Sequence, residues 1–161
     1  MDKAILWTLL LIGVVLLFFG VRKPFIKDTL LVFLLSAYFS TFIGVFVVEE
    51  KMLRYPVRFL SEYFEVSILY EYVLFPVVCM YFFQTTRHSR YIGIALQCAL
   101  YTTALTIVEV LLERYTDLIE YNTWNWIYTF ISNFLLMIVV RILVHLINKR
   151  ERWLENDRRE V

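Results

Sequence analysis

The sequence has few of the residues that stabilise small secreted domains or that interrupt helices. Its 161 residues include 2 Cys, 4 Gly and 3 Pro, and only 19% are charged. Cys79 and Cys98 lie inside apolar segments and match neither a disulfide framework nor a metal-ligand spacing. Hydrophobic residues make up 60% of the chain, whereas a soluble domain averages about 45–50%. This composition excludes a soluble globular enzyme, a disordered chain and a disulfide-rich secreted domain.

Signals for catalysis and for polyanionic partners are also missing. Lys and Arg number 16 against 15 Asp and Glu, a net charge of +1, so nothing indicates a nucleic-acid partner. The chain contains no GxSxG, HExxH, GxGxxG or Walker-type motif and no Cys/His cluster at metal spacing. The sequence therefore predicts a protein that is not an enzyme, with no catalytic residues, no cofactor and no metal.

What the sequence does contain is five apolar runs separated by short charged islands. Each run is close to the ~20 residues that cross about 30 Å of hydrocarbon as a helix. A lone strand would leave its backbone groups unpaired in lipid, so the runs must be helical. The sequence predicts an all-α integral membrane bundle of five transmembrane helices over residues 1–148 and a charged cytoplasmic tail over residues 149–161. The runs cover residues 4–21, 29–48, 67–84, 91–112 and 127–148.

The distribution of basic residues predicts the orientation. Ten Lys and Arg lie in the islands on one side of the membrane, five lie on the other, and Arg141 is inside the fifth run. The side richer in Lys and Arg is usually cytoplasmic. We therefore expect a multi-pass protein of the cell membrane with its N-terminus outside and its C-terminus in the cytoplasm. The first run is too long and lacks a cleavage site for a signal peptide, so we interpret it as a retained span.

The second connection, residues 49–66, is too apolar for a free loop and too short and charged to span. Its aromatic side chains alternate with charged ones, among them Arg54 and Arg58, and it contains Pro56. This pattern is typical of a helix that lies at the headgroup level. We predict an interfacial helix between the second and third spans, and interpret it as a connector in preference to a gate or lid.

Two spans carry small residues at four-residue intervals. Such spacing aligns them on one helix face and allows a neighbouring helix to approach closely in lipid. We interpret both faces as helix-packing surfaces, within one chain or between protomers. The two sets are Ser36, Ser40 and Gly44 in the second span, and Ala95, Ala99 and Thr103 in the fourth.

Two uncharged features inside the runs predict local structure. Pro76 lies near the middle of the third run and should kink it unless neighbouring groups replace the lost hydrogen bond. Asn133 lies deep in the fifth run, where we expect it to form a hydrogen bond to another helix.

Three carboxylates lie in or at the edge of the spans, towards the outer side in the predicted orientation. They are Glu71, Glu109 and Glu113. A charge at the centre of a span costs on the order of 2.5–3.5 kcal/mol by insertion scales, so each is a candidate functional group. They could form a cation or proton site, or a docking site for a basic group. The alternative, which we favour from sequence, is ion pairing on the same rim. The basic residues available for that pairing are Arg54, Arg58 and Arg114.

Arg141 and His145 form a second candidate site near the cytoplasmic end of the fifth span. They lie one helical turn apart on the same face. Together they could contact a lipid phosphate or an anionic substrate. Snorkelling of the Arg141 side chain to the headgroups explains them nearly as well.

Several short strings resemble a family of small multi-pass membrane proteins of spore-forming Gram-positive bacteria. The resemblance runs from about the second span to the fifth. It implies a location in the cell membrane and assigns no activity, cofactor or catalytic residue. The strings are Tyr55-Pro56-Val57-Arg58-Phe59-Leu60, Leu69-Tyr70-Glu71-Tyr72, Phe75-Pro76, Gln84-Thr85-Thr86, Leu112-Glu113-Arg114 and Trp124-Asn125-Trp126.

These patterns favour a structural or interaction component of a membrane assembly, whose partners are the lipid bilayer and either another membrane protein or further copies of this chain. A small transporter or channel subunit for a proton, a cation or a small solute is the alternative, with the outer carboxylates as its site. A lipid-handling protein that uses Arg141 is a weaker alternative. A cavity shared by the carboxylates would favour transport, whereas carboxylates paired with arginine would favour a structural role.

Overall fold

The computed structural model describes residues 2–21 and 26–157, and most of them are helical. The helices are α1 (Asp2–Gly20), α2 (Ile26–Glu49), α3 (Phe75–Thr85), α4 (Tyr91–Tyr115) and α5 (Trp126–Asp157). A π-helical turn, Tyr70–Leu74, precedes α3, and two short strands are β1 (Leu53–Arg54) and β2 (Glu120–Tyr121). The predicted helical bundle is confirmed. Four helices, α1, α2, α4 and α5, are long and apolar enough to cross a membrane.

The connections that follow α2 and α4 lie at the same end of the bundle, here called the loop end. Strands β1 and β2 pair antiparallel there, with Leu53 opposite Tyr121 and Arg54 opposite Glu120. At the opposite, tail end, Gln84 Nε2 donates to the Gly20 carbonyl at 2.6 Å. Asn148 Nδ2 donates to Asp28 Oδ1 at 3.0 Å in the same region. Consecutive helices therefore run in opposite directions, as the alternating charged islands predict.

The interfacial helix predicted for residues 49–66 is not formed. Residues 50–66 contain β1 and a series of turns. Their backbone groups pair with the α4–α5 connection instead, since Trp124 N–H donates to Met52 O at 3.1 Å and Val57 N–H donates to Asp117 O at 3.2 Å. Leu60 adopts the left-handed conformation, with φ of 53°, which a helix does not allow. The two connections together form a cap over the loop end.

Two apolar clusters divide the bundle along its length. The loop-end cluster joins the cap to the helix ends and consists of Leu6, Val47, Val48, Leu53, Tyr55, Val66, Leu69, Leu118 and Ile119. The tail-end cluster consists of Val32, Phe75, Cys79, Phe82, Cys98, Leu105, Leu136, Met137, Val140 and Val144. Both cysteines of the chain are free thiols in the tail-end cluster, where a thiol behaves as a small hydrophobe.

The irregularity predicted at Pro76 takes the form of the π-helical turn. Pro76 has no N–H, and its ring would meet the carbonyl four residues earlier, that of Tyr72, in a regular helix. The Phe75 N–H accordingly donates to the carbonyl of Tyr70, five residues back. A π-turn adds a residue to one turn of a helix. It therefore changes the register of the side chains before Pro76 relative to those in α3.

The two predicted packing faces differ in their surroundings. Ser36, Ser40 and Gly44 are buried on α2. On α4, by contrast, Ala95 and Thr103 are exposed. The buried face of α4 is the adjacent one, formed by Cys98, Thr102, Leu105, Thr106 and Glu109. Most of the Ala95 face is thus left uncovered by the residues that the structure describes, with Ala99 half-buried.

Arg58 holds the first half of the cap through backbone carbonyls. Its guanidinium donates to the carbonyls of Tyr55 and Phe64, both at 2.6 Å, and of Ser61 at 3.3 Å. We expect Arg58→Ala to lower the free energy of unfolding by about 1–3 kcal/mol, the usual effect of losing charged hydrogen bonds. Hydrogen exchange over residues 55–64 of the detergent-solubilised protein should become faster.

Arg54→Ala is the matched control, because Arg54 is an exposed arginine on the same connection. Its loss should leave exchange over residues 55–64 unchanged. Equal effects of the two substitutions would contradict the assigned role of Arg58.

Candidate functional site

A cavity of about 50 Å³ lies where the two apolar clusters meet. A water molecule needs roughly 10–15 Å³ of such volume, so the cavity can hold about three to five water-sized occupants. Side chains from four helical elements and from the cap reach it. The lining residues are Ser40, Ile43, Gly44, Val47, Leu53, Tyr55, Tyr70, Glu71, Glu109, Trp124, Thr129, Ser132, Asn133 and Leu136.

Glu71 enters the cavity from the π-helical turn. It is only 4% exposed, and the Ser40 hydroxyl donates to its Oε2. A Cβ placed on Gly44 would collide with its Oε1. The small-residue face of α2 is therefore the surface against which this carboxylate lies. Among the residues that the structure describes, none donates a hydrogen bond to Oε1.

Glu109 enters from α4 and is 7% exposed. Its Oε1 accepts hydrogen bonds from the Tyr121 hydroxyl at 2.7 Å and from Thr129 Oγ1 at 2.8 Å, and the Tyr70 hydroxyl lies nearby. Hydrogen bonds from several donors offset much of the cost of removing a carboxylate from water. Glu109 thus has two hydroxyl donors on one oxygen, whereas Glu71 has a single hydroxyl donor.

Two further groups extend the network around Glu109. Trp124 Nε1 donates to Thr129 Oγ1 at 2.8 Å, and Asn133 Nδ2 donates to the Tyr70 hydroxyl at 2.8 Å. Each of these hydroxyls can therefore point its own hydrogen at the carboxylate. Chains of hydrogen bonds that point the same way reinforce one another. The network confirms the interhelical hydrogen bond predicted for Asn133.

The predicted pairing of these carboxylates with arginine is not formed. Within residues 2–21 and 26–151, the two ion pairs are Lys27–Glu151 and Arg87–Asp28, both at the tail end. Arg54 is exposed, and Arg58 binds carbonyls of the cap. Glu113 is half-buried and does not line the cavity. The cavity thus holds two buried carboxylates without a basic partner among the described side chains.

Two tyrosines from the cap complete the site. Tyr55 is 7% exposed and lines the cavity, yet its hydroxyl forms no hydrogen bond with the part of the chain that the structure describes. Burial, and then the nearby charges of Glu71 and Glu109, raise the pKa of Tyr55 well above its usual value. Burial and Glu109 likewise raise the pKa of Tyr121. Both hydroxyls therefore remain protonated at neutral pH and can donate hydrogen bonds.

Arg141 has partners within the protein. It donates to the carbonyl of Thr86 at 2.7 Å and also to the Thr86 hydroxyl, and Thr86 is the C-cap of α3. Its guanidinium carbon lies 5.9 and 5.8 Å from the ring centroids of Phe82 and Phe83. A cation at a helix C-terminus is favourable, so this arrangement explains Arg141 without an anionic ligand. His145 is exposed on α5 and is not part of this arrangement.

Part of the site was missed by the sequence reasoning. Thr129 lies one turn before Asn133, which the sequence did single out, and Tyr70 adjoins Glu71; these local signals could have identified Thr129 and Tyr70. Tyr55 and Tyr121 belong to connections far apart in sequence, and only the pairing of β1 with β2 brings Tyr55 to the cavity and Tyr121 to Glu109. No local pattern indicates that pairing.

Comparison with known proteins adds no relative. No protein-family model matches the chain, and neither a curated protein nor a solved structure matches it. The resemblance to a family of spore-former membrane proteins stays a prediction. The site geometry therefore carries the functional argument.

The close approach of Gly44 to the Glu71 carboxyl group can be tested with a substitution that adds one methyl group. We expect Gly44→Ala to lower the free energy of unfolding by about 1–3 kcal/mol, because the new Cβ would overpack the Glu71 carboxyl group. The measurement is thermal or denaturant unfolding of the detergent-solubilised protein. Gly93→Ala is the control, since a Cβ there meets Ser89 Cβ at an ordinary 3.4 Å. If both substitutions have the same effect, the close approach of α2 to Glu71 is not formed.

The donor role of Tyr121 can be tested separately. Tyr121→Phe removes the hydroxyl that donates to Glu109 at 2.7 Å. We expect the free energy of unfolding to fall by about 1.5–3 kcal/mol, as for hydrogen bonds to charged groups. Tyr115→Phe, at an exposed position of α4, should leave unfolding unchanged. A Tyr121→Phe variant as stable as the parent would contradict the assigned hydrogen bond.

Proposed function

We propose that the chain is a five-span protein of the cell membrane that works as a small transporter or channel subunit. Glu71 and Glu109 bind the proton or small cation that it carries. The observation that supports this function is their burial in one cavity without a basic partner among the described side chains. A buried charge of one sign is stable only when something neutralises it.

The fifth crossing in this proposal is the third apolar run. Residues 68–85 are continuously helical through the π-turn and α3. Eighteen residues at 1.5 Å each extend about 27 Å, close to the ~30 Å hydrocarbon thickness. The ten-to-five distribution of Lys and Arg favours an outer N-terminus. The cap and the cavity beneath it then belong to the outer half of the membrane.

The unequal hydrogen bonding of the two carboxylates suggests different roles. Glu109 is fixed by hydroxyl donors, so it contributes a constant negative charge to the cavity wall. Glu71 has a single hydroxyl donor, and its Oε1, which has no donor among the described residues, accepts the proton or contacts the cation. Tyr121 is only half-buried and lies in the cap, where it links Glu109 to the loop end.

Transport also requires a connection from the cavity to the other side. The tail-end cluster fills the bundle below the cavity with apolar side chains. A cation would therefore pass only after a conformational change, or along a path between protomers. A chain of five helices has few ways to enclose a path alone, so we favour an oligomer.

A structural component of a membrane assembly is the second candidate. The observation that favours it is the exposed small-residue face of α4 that contains Ala95 and Thr103. Small residues allow close approach of a helix from another membrane protein or a second copy. Oligomerisation and transport are compatible, so this candidate and the first can hold together.

The test of transport is proton flux in liposomes that contain the purified protein and a trapped pH-sensitive dye. An imposed pH gradient should decay faster than in empty liposomes. Glu71→Gln should slow the protein-dependent decay at least about tenfold, because a tenfold change corresponds to only ~1.4 kcal/mol of lost stabilisation.

Glu113→Gln is the matched control. Glu113 is a half-buried carboxylate one helical turn after Glu109 that does not line the cavity, so the variant should keep the parental flux. Decay no faster than in empty liposomes would overturn the proposal, as would equal flux in the two variants.

A further inference from the structure

The polar atoms of the cavity that lack a hydrogen-bond partner determine which type of ligand can bind. Glu71 Oε1 has no donor among the described residues, and Tyr55 is a nine-tenths buried side chain whose hydroxyl is likewise unpartnered there and faces the cavity. The free carboxylate oxygen is an acceptor, and the free hydrogens belong to neutral groups, the Tyr55 hydroxyl and the second amide hydrogen of Asn133. A complementary ligand must therefore donate hydrogen bonds and carry positive charge.

The aromatic rings of the cavity lining are the second feature that determines the type of ligand. Tyr55, Tyr70 and Trp124 line the cavity together with the carboxylates. Aromatic faces attract cations through the ring quadrupole and also accept small alkyl groups. A strongly hydrated metal ion gains little from such a lining. Nor do the described residues contain a group of three or more His, Cys, Asp or Glu that could hold a metal ion.

The volume of the cavity is the third feature, because it limits the size of the ligand. The cavity of about 50 Å³ holds about three to five water-sized occupants. An ammonium ion with one or two carbon atoms fills two or three such positions. A bulky organic cation does not fit.

We propose that the cavity is a binding site for a small protonated amine, held by hydrogen bonds from its N–H groups to Glu71 and to the Tyr55 oxygen. Its alkyl group lies against the rings of Tyr70 and Trp124, and Glu109 supplies further negative charge. This inference rests on the proposed function and names the class of cation within it.

The experiment is isothermal titration calorimetry of the full chain in detergent, with methylammonium chloride as the probe. Potassium chloride and tetramethylammonium chloride are the comparison probes, because both cations carry a positive charge but have no N–H group to donate. We expect saturable binding of methylammonium, and at least about tenfold weaker binding of the other two cations, a difference of ~1.4 kcal/mol. Equal affinity for potassium would overturn the proposal, since charge alone would then suffice.

Paired variants assign the binding to this cavity. Glu71→Gln should abolish methylammonium binding, whereas Glu113→Gln should retain it. Tyr55→Phe should weaken binding at least about threefold, as expected for a lost hydrogen bond of ~0.7 kcal/mol. Tyr63→Phe, an exposed tyrosine of the same connection, should not. Parental affinity in both Glu71→Gln and Tyr55→Phe would overturn the proposal, as would absent binding by a parent protein whose circular dichroism is helical.

The outcomes separate this inference from the proposed transport. Proton flux that depends on Glu71, without methylammonium binding, would refute the amine site and leave proton transport standing. Methylammonium binding that depends on Glu71, without any flux, would support the amine site and refute transport.

Discussion

The structure is organised around two carboxylates that lie in an apolar bundle without a counter-charge among the described side chains. Each would be strongly destabilising alone, because an ionised group loses its hydration when it is buried. Glu109 is accommodated by hydroxyl donors from the cap and from α5. Glu71 has one hydroxyl donor and lies against a helix face without a side chain at Gly44. The elements that meet at the cavity thus share one role, because they supply hydrogen bonds or space to these two carboxylates.

This requirement gives a common reason for several irregular features. The π-turn before Pro76 brings both Tyr70 and Glu71 to the cavity wall. The pairing of β1 with β2 places Tyr55 in the cavity lining and Tyr121 beside Glu109. Small residues on α2 are therefore more than a surface for close helix contact, because they leave space for a charged side chain. The two apolar clusters on either side isolate the polar region along the length of the bundle.

Composition and charge placement were enough to predict the helical bundle and the alternation of helix direction, and they singled out Glu71 and Glu109, which the structure places in one cavity. These features depend on the apolar surroundings that such a composition requires. They are therefore visible in the sequence as long apolar runs and rare internal charges. The cap was mispredicted, because alternating aromatic and charged residues suit an interfacial helix as well as a packed connection. The pairing of Arg58 with a carboxylate was also wrong, because the backbone carbonyls that it binds leave no signature in a sequence. Tyr55 and Tyr121 could not be foreseen, since their proximity depends on contacts between residues about sixty-five positions apart.

The positions of Glu109 and its hydrogen-bond donors along the sequence determine the order in which they are synthesised. Glu109 lies in α4, while its donors Tyr121 and Thr129 come later, from β2 and α5. Chains are synthesised from the N-terminus, and their early parts begin to fold first. In the proposed membrane protein, Glu109 enters the bilayer before these two donors have been synthesised. The last helix is needed to complete the hydrogen bonding of Glu109, so a chain that ends before α5 leaves this carboxylate without the Thr129 donor.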